Sequence, residues 1–145
     1  MSNRFIEYHW DYKGNVAVDQ DKFSRIARNV LKDLDLTFDH LALIFVDDEY
    51  LKELHGKYLN DLSVTDVITF DLRDEDSLDA EIYISVDTAV RVAEEIGVGV
   101  NEELLRYAIH GILHLAGFND ADDSERAKMK TEEDAMVDKY KDKLN

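Results

Sequence analysis

The sequence predicts an α+β domain: one mixed four-stranded sheet covered by about five helices, in the order β-α-β-α-β-β-α-α-α. Three observations carry this. Residues 40–46 (His-Leu-Ala-Leu-Ile-Phe-Val) form a continuous apolar run between aspartates, the pattern of a strand buried on both faces. Residues 65–72 and 80–86 are β-rich segments joined by a short charged run, which reads as a hairpin. The remaining segments place apolar residues at i, i+3 and i+4, as helices covering a sheet do. With 145 residues, 45% of them hydrophobic, the chain reads as one domain over residues 1–145 with a proper core.

Residues 4–10 alternate Phe5, Glu7 and His9 against Ile6, Tyr8 and Trp10, a strand period. His9 reads as a surface residue. Gly14-Asn15 marks a turn. A helix follows from Asp19 or Asp21 to Leu34, with Phe23, Ile26, Ala27, Val30, Leu31 and Leu34 as its inner stripe and an aspartate as its cap. The strand–helix–strand order makes the first two strands parallel.

Asp47 or Asp48 starts a short helix through about Tyr58, with Tyr50, Leu51, Leu54 and Tyr58 as its apolar positions. His55 falls outside that stripe and is expected to be exposed. Residues 59–64 read as a loop. Asp87 is expected to start a helix ending at Gly97. Asn101 is expected to cap the next helix, which carries Leu104, Leu105, Tyr107, Ala108, Ile109, Ile112, Leu113 and Leu115 and reads as buried. A last helix spans about residues 124–143, with Met129, Met136, Val137, Tyr140 and Leu144 inward.

The composition narrows the chemistry. There is no cysteine, so any metal must be held by His, Asp or Glu, and a cytoplasmic setting fits. No apolar run is long enough to span a bilayer, and the first residues lack a signal-peptide pattern. The net charge of −16 opposes long-range attraction of phosphate. The best basic stripe is Lys22, Arg25, Arg28 and Lys32 on the first helix, either a solvated face or a phosphate-contacting patch.

One stretch has metal-ligand spacing. His110 and His114, four apart on a helix, lie on one face. Gly117 is expected to end the helix in a left-handed turn that brings Asn119, Asp120, Asp122 and Asp123 back toward them. Asp120 is a sound third ligand on chemistry alone, as a hard carboxylate. A catalytic zinc site commonly has three protein ligands and an open position. The metallopeptidase pattern His-Glu-x-x-His lacks its base here, because Gly111 follows His110. A glycine inside a helix points to something approaching the backbone closely, a packed strand or a substrate.

Residues 110–120 (His-Gly-Ile-Leu-His-Leu-Ala-Gly-Phe-Asn-Asp) resemble the signature His-Gly-x-Leu-His-Leu-x-Gly-Tyr-Asp-His of the YbeY family of bacterial metal-dependent endoribonucleases and rRNA maturation factors. Residues 51–70, ending Thr65-Asp66-Val67-Ile68-Thr69-Phe70, look like the family's middle block. Residues 80–85 look like its Gly-Asp-Ile-x-Ile-Ser strand. The helix with Glu125, Met129 and Glu133 is similar too.

The resemblance implies a zincin-like fold and one zinc-type ion. It implies cleavage of single-stranded RNA in rRNA 3′-end maturation and ribosome quality control, and association with the small ribosomal subunit. A monomer is expected. By register it makes His110, His114 and Asp120 the metal ligands, catalytic through the activated water. The family's third histidine is Asp120 here. This weakens the ion as a Lewis acid and opens the site to other divalent metals. The family's arginine after the middle-block tyrosine is Leu59 here, which leaves Lys57 as the nearest cation for phosphate. The base is the activated water's own hydroxide or the RNA 2′-hydroxyl. The alternative is a non-catalytic ribosome-assembly factor with a structural metal. A non-haem iron oxygenase also uses two histidines and a carboxylate, but the resemblance argues against it.

Overall fold

The computed structural model describes residues 5–59, 66–73 and 77–144, with backbone alone at 58 and 59. The chain runs β1 (Phe5–Trp10), α1 (Gln20–Asp33), β2 (Phe38–Val46), α2 (Asp48–Leu59), β3 (Val67–Asp71), β4 (Leu78–Ser85), α3 (Val86–Ile96), α4 (Val100–Leu115) and α5 (Asp123–Tyr140), then a 3-10 turn over Lys141–Leu144. This is the expected order. The expected loop over 59–64 and the middle of the charged run lie outside the described residues.

The sheet order is β1-β2-β4-β3. β1 and β4 each pair with β2 in parallel, and β3 pairs antiparallel with β4 as the expected hairpin. β3 is therefore an edge strand. Period-2 alternation sends Leu41, Leu43 and Phe45 of β2 and Ala80, Ile82 and Ile84 of β4 into the main core, where α1, α3, α4 and α5 contribute their apolar faces. The opposite face holds a smaller cluster, Val46, Leu51 and Ile68 with Tyr83 and Phe70 against it, under α2. Both faces of the β3–β4 end are thus fixed by packing, and this end carries the site. Among the described residues, no helix is long and apolar enough to cross a membrane.

Several boundaries shift for local reasons. α1 is capped by Asp19, whose side chain accepts from the Lys22 amide at 3.0 Å. α3 begins one residue before Asp87, because Ser85 caps it by accepting from the Thr88 amide. Asp87 is freed to accept from the Tyr12 hydroxyl at 2.8 Å and the Asp48 amide at 3.0 Å. α4 is not capped by Asn101. It starts at Val100 after Gly99, without a side-chain cap. Extending the helix back seats Val100 against the core, and Glu102 and Glu103 in the first turn complement the helix dipole. α5 starts from an Asp122 cap and ends at Tyr140, where a 3-10 turn takes over. Of its expected inner face, Met129, Val137 and Tyr140 are buried, and Met136 and Leu144 are partly buried against the core.

Candidate active site

α4 crosses the inner face of the sheet beside β3 and β4, and Gly111 sets how closely. A Cβ at residue 111 would lie 2.9 Å from both Ile82 Cδ1 and Ile82 Cγ2 and 3.0 Å from Thr69 Oγ1. The two alternatives for this glycine resolve in favour of a packed strand. The missing side chain lets the histidine-bearing turns of α4 sit against the β3 edge.

His110 and His114 lie one helical turn apart, with ring centroids 4.9 Å apart and planes at 76°. His110 Nδ1 lies 2.6 Å from Glu133 Oε1 of α5. That contact occupies one ring nitrogen and leaves Nε2 directed away from the carboxylate. Glu133 is itself held by Arg106 Nη1 at 2.8 Å, and the same nitrogen reaches Asp134 Oδ1 at 2.7 Å. α4 and α5 are thus joined by a partly buried chain, Arg106–Glu133–His110. Burial of Glu133 favours its neutral form, but the bonds from His110 and Arg106 prevail and hold its carboxyl below the usual range. Burial likewise opposes charge on His110, yet the adjacent Glu133 carboxylate raises its pKa. Among the described residues His114 has no carboxylate bonded to its ring in this way. Burial, then the neighbouring His110, lowers its pKa and keeps its imidazole neutral.

Gly117 takes φ 103°, the left-handed conformation expected of it. The Gly117 amide donates to the His114 carbonyl at 3.1 Å and the Phe118 amide to the Leu113 carbonyl at 3.0 Å, closing the helix. Asp120 follows on the exposed turn. Its charge acts on both His110 and His114. The histidines are brought together and Asp120 within electrostatic reach of them. Among the described residues, however, no three His, Asp or Glu side chains converge closely enough to hold an ion. Asn119 and Asp122 are used otherwise: Asn119 accepts from the Ala121 amide and Asp122 caps α5. Asp123 accepts from Arg126 Nη1 at 2.8 Å, which leaves Asp120 as the better placed of the acids and amides after the turn.

A groove of about 390 Å³ runs between the β3 edge, His55, His114 and Leu115. His55, expected to be exposed, is half-buried and lines this groove. The last turns of α2 face the β3 edge, and this places the ring opposite His114. None of Lys22, Arg25, Arg28, Lys32 and Lys57 lines it. The α1 stripe lies on a helix packed at the other end of the sheet, and Arg28 sits with its guanidinium 5.3 Å from the centre of the Phe38 ring. Lys57 belongs to a second groove, with Tyr50, Glu53, Phe70, Glu81 and Tyr83. The side chain of Leu59 lies outside the described residues.

The site offers donors that could hold a divalent ion: two adjacent imidazoles, His114 shifted toward its neutral form and His110 oriented by Glu133, with the Asp120 carboxylate on the following turn. The model of the endoribonuclease YbeY family matches residues 9–141. An endoribonuclease YbeY of Flavobacterium psychrophilum is 39% identical over 102 residues, 70% of this chain and 73% of that protein. The one from Treponema denticola is 35% identical over 133 residues, 86% of each. The chain belongs to the endoribonuclease YbeY family. Family membership makes it a nuclease that hydrolyses RNA, as the resemblance implied. The solution structure of TM1509 from Thermotoga maritima aligns with a TM-score of 0.59 at 28% identity, over 92% of this chain and 87% of that one.

Glu133, which the sequence reading noted only as part of a family-like helix, has a role that reading missed: it is the partner of His110. Its signal was present. Met129, Glu133 and Val137 recur at intervals of four on one face of α5, and all three are buried. A carboxylate in an apolar stripe needs a partner, and the partner is His110.

Proposed function

We propose that the chain cleaves single-stranded RNA at a centre in which His110, His114 and Asp120 hold one divalent ion. The carrying observation is the 2.6 Å contact between Glu133 and His110 Nδ1. A carboxylate on the far nitrogen is the usual way a metal-binding histidine is oriented and made more basic. An ion bound there would supply a water of lowered pKa and polarise a phosphoryl oxygen. Zinc fits the two imidazoles, and the Asp120 carboxylate also admits harder divalent ions.

The chain's own residues do the rest. Glu133 and Arg106 hold the His110 ring against rotation. Gly111 brings α4 against β3 and β4, and His114 lines the groove. Asp120, exposed on the turn after the helix, would be the third residue to hold the ion. Gly111 offers no carboxylate base, so the attacking oxygen loses its proton without help from that position. Family membership supports rRNA precursors as substrate, with 3′-end maturation and quality control on the small ribosomal subunit as the setting. In this reading the chain works as a cytoplasmic monomer.

Asp120→Ala tests the ligand set. The side chain is exposed and supports no packing, so the thermal midpoint should hold. Bound metal, measured by elemental analysis after gel filtration, should fall at least about tenfold, the scale of losing one group that supports a metal. Unchanged stoichiometry would sink the assignment of Asp120.

A further inference from the structure

The β3 edge gives the groove a second property, which rests on the reading of the chain as an RNA-cleaving enzyme. Its pairing with β4 sets Val67 opposite Ile84, Thr69 opposite Ile82 and Asp71 opposite Ala80. Two bonds fix the phase of this ladder: the Leu72 amide donates to the Asp79 carbonyl at 2.8 Å, and the Ser85 amide to the Asp66 carbonyl at 3.0 Å. Positions 66, 68, 70 and 72 therefore turn their N–H and C=O groups to β4. In an antiparallel ladder the alternate residues face the other way. Val67, Thr69 and Asp71 aim theirs out of the sheet, and β3 has no strand on that side among the described residues. All three line the groove that holds His114.

We propose that this free edge is a ribose-reading rail, which exchanges hydrogen bonds with the 2′-hydroxyls of the RNA strand on either side of the scissile bond. Three arguments converge on it. The first is spacing. Outward-facing residues repeat every ~6.8 Å along a strand, about twice the ~3.4 Å rise per nucleotide of a stacked strand. The rail suits an unstacked strand, at one nucleotide per two residues, and not a helix.

The second is charge. The chain carries −16, none of the five candidate cations lines the groove, and Arg73 at the end of the rail is engaged by Asp71 at 2.7 Å and by the Leu115 carbonyl at 2.8 Å. Outward carbonyls on a strongly acidic chain disfavour phosphate. A 2′-hydroxyl is neutral, and it is both donor and acceptor, so it meets an edge that presents N–H and C=O in turn.

The third is selectivity. The 2′-hydroxyl distinguishes RNA from DNA, and a rail that binds it selects RNA without reading sequence. Recognition by sugars releases few counterions, so affinity should fall only shallowly with salt.

The test is kcat/KM of the metal-loaded full chain on a short single-stranded RNA. It is compared with the same oligonucleotide carrying 2′-deoxy nucleotides beside the cut, the cut nucleotide itself left as ribose. Each flanking deoxy should lower kcat/KM about threefold to tenfold, the worth of one net hydrogen bond. Thr69→Pro removes an outward N–H while sparing the β4 ladder, a placement edge strands tolerate. It should cleave the all-ribose strand more slowly and lose the penalty at one flanking position.

Robust cleavage with no deoxy penalty at either flank overturns the rail and leaves the nuclease reading standing. No cleavage of any RNA by the wild-type chain brings down both. Concentration-dependent dimers that Thr69→Pro dissolves would show that the edge pairs with a second copy, and would also overturn it. If Thr69→Pro does not fold, the deoxy series on the wild-type chain decides alone.

Discussion

His114→Ala should leave a folded protein that no longer cleaves RNA. The imidazole sits in the last turn of α4, half-buried, and its backbone hydrogen-bond partner, Phe118, lies in the turn directly after the same helix. Its loss therefore costs little packing, and the thermal midpoint should stay within about 4 °C of wild type, a shift worth roughly 1 kcal/mol in a chain of this size. The effect on chemistry is of another order. On the proposed ligand set, removing one of the two imidazoles would take away the ion and with it several kcal/mol of charge stabilisation at the phosphoryl group. At 1.36 kcal/mol per tenfold this is a loss of about a thousandfold or more. Cleavage of a single-stranded RNA by the purified variant, followed on a gel, checks it. Cleavage at the wild-type rate would place the chemistry elsewhere, or in a contaminant.

Glu133 separates orientation from folding. Glu133→Gln keeps an oxygen to accept from His110 Nδ1 and fills the same space, so the fold should survive. The neutral amide no longer makes the ring more basic, and metal affinity should fall about 10–100-fold. Glu133→Ala goes further, because it strips a partner from His110 and from Arg106 in a buried setting, where the carboxylate side chain is only 12% exposed. Arg106 retains Asp134, which limits the damage to about 2–3 kcal/mol of stability. The pH dependence has a definite sign. Glu133 is held below the usual carboxylate range. Its contribution is therefore fully present above that range and is lost as pH falls through the lowered value. Thermal melts of wild type and Glu133→Gln should converge at low pH and differ above it. Parallel curves at every pH would show that the contact carries no charge.

The architecture was legible because its signals are periodic. The apolar run of β2, the alternation in β4 and the stripe of α1 each say which face is covered, and the aspartate cap of α1 and the Gly117 turn follow from single residues with special backbone preferences. The histidine pair was legible for the same reason, since four residues on a helix make one turn. What the sequence hid depends on distance across elements. Glu133 reaches His110 from another helix, 23 residues on. His55 turns toward β3 because of how α2 crosses the sheet, and its own stripe does not show it. The helix starts moved where tertiary packing outweighed cap preference, as when Val100 drew α4 back past Asn101. The basic stripe of α1 was a pattern without a place, and the fold sets it away from the groove.

The most direct test of the central claim is RNA cleavage by the purified wild-type chain, before and after exhaustive chelation and again after adding back zinc or another divalent ion. The account predicts cleavage that disappears on chelation and returns with the ion, at one equivalent per chain. Cleavage that persists in the fully chelated protein would contradict it.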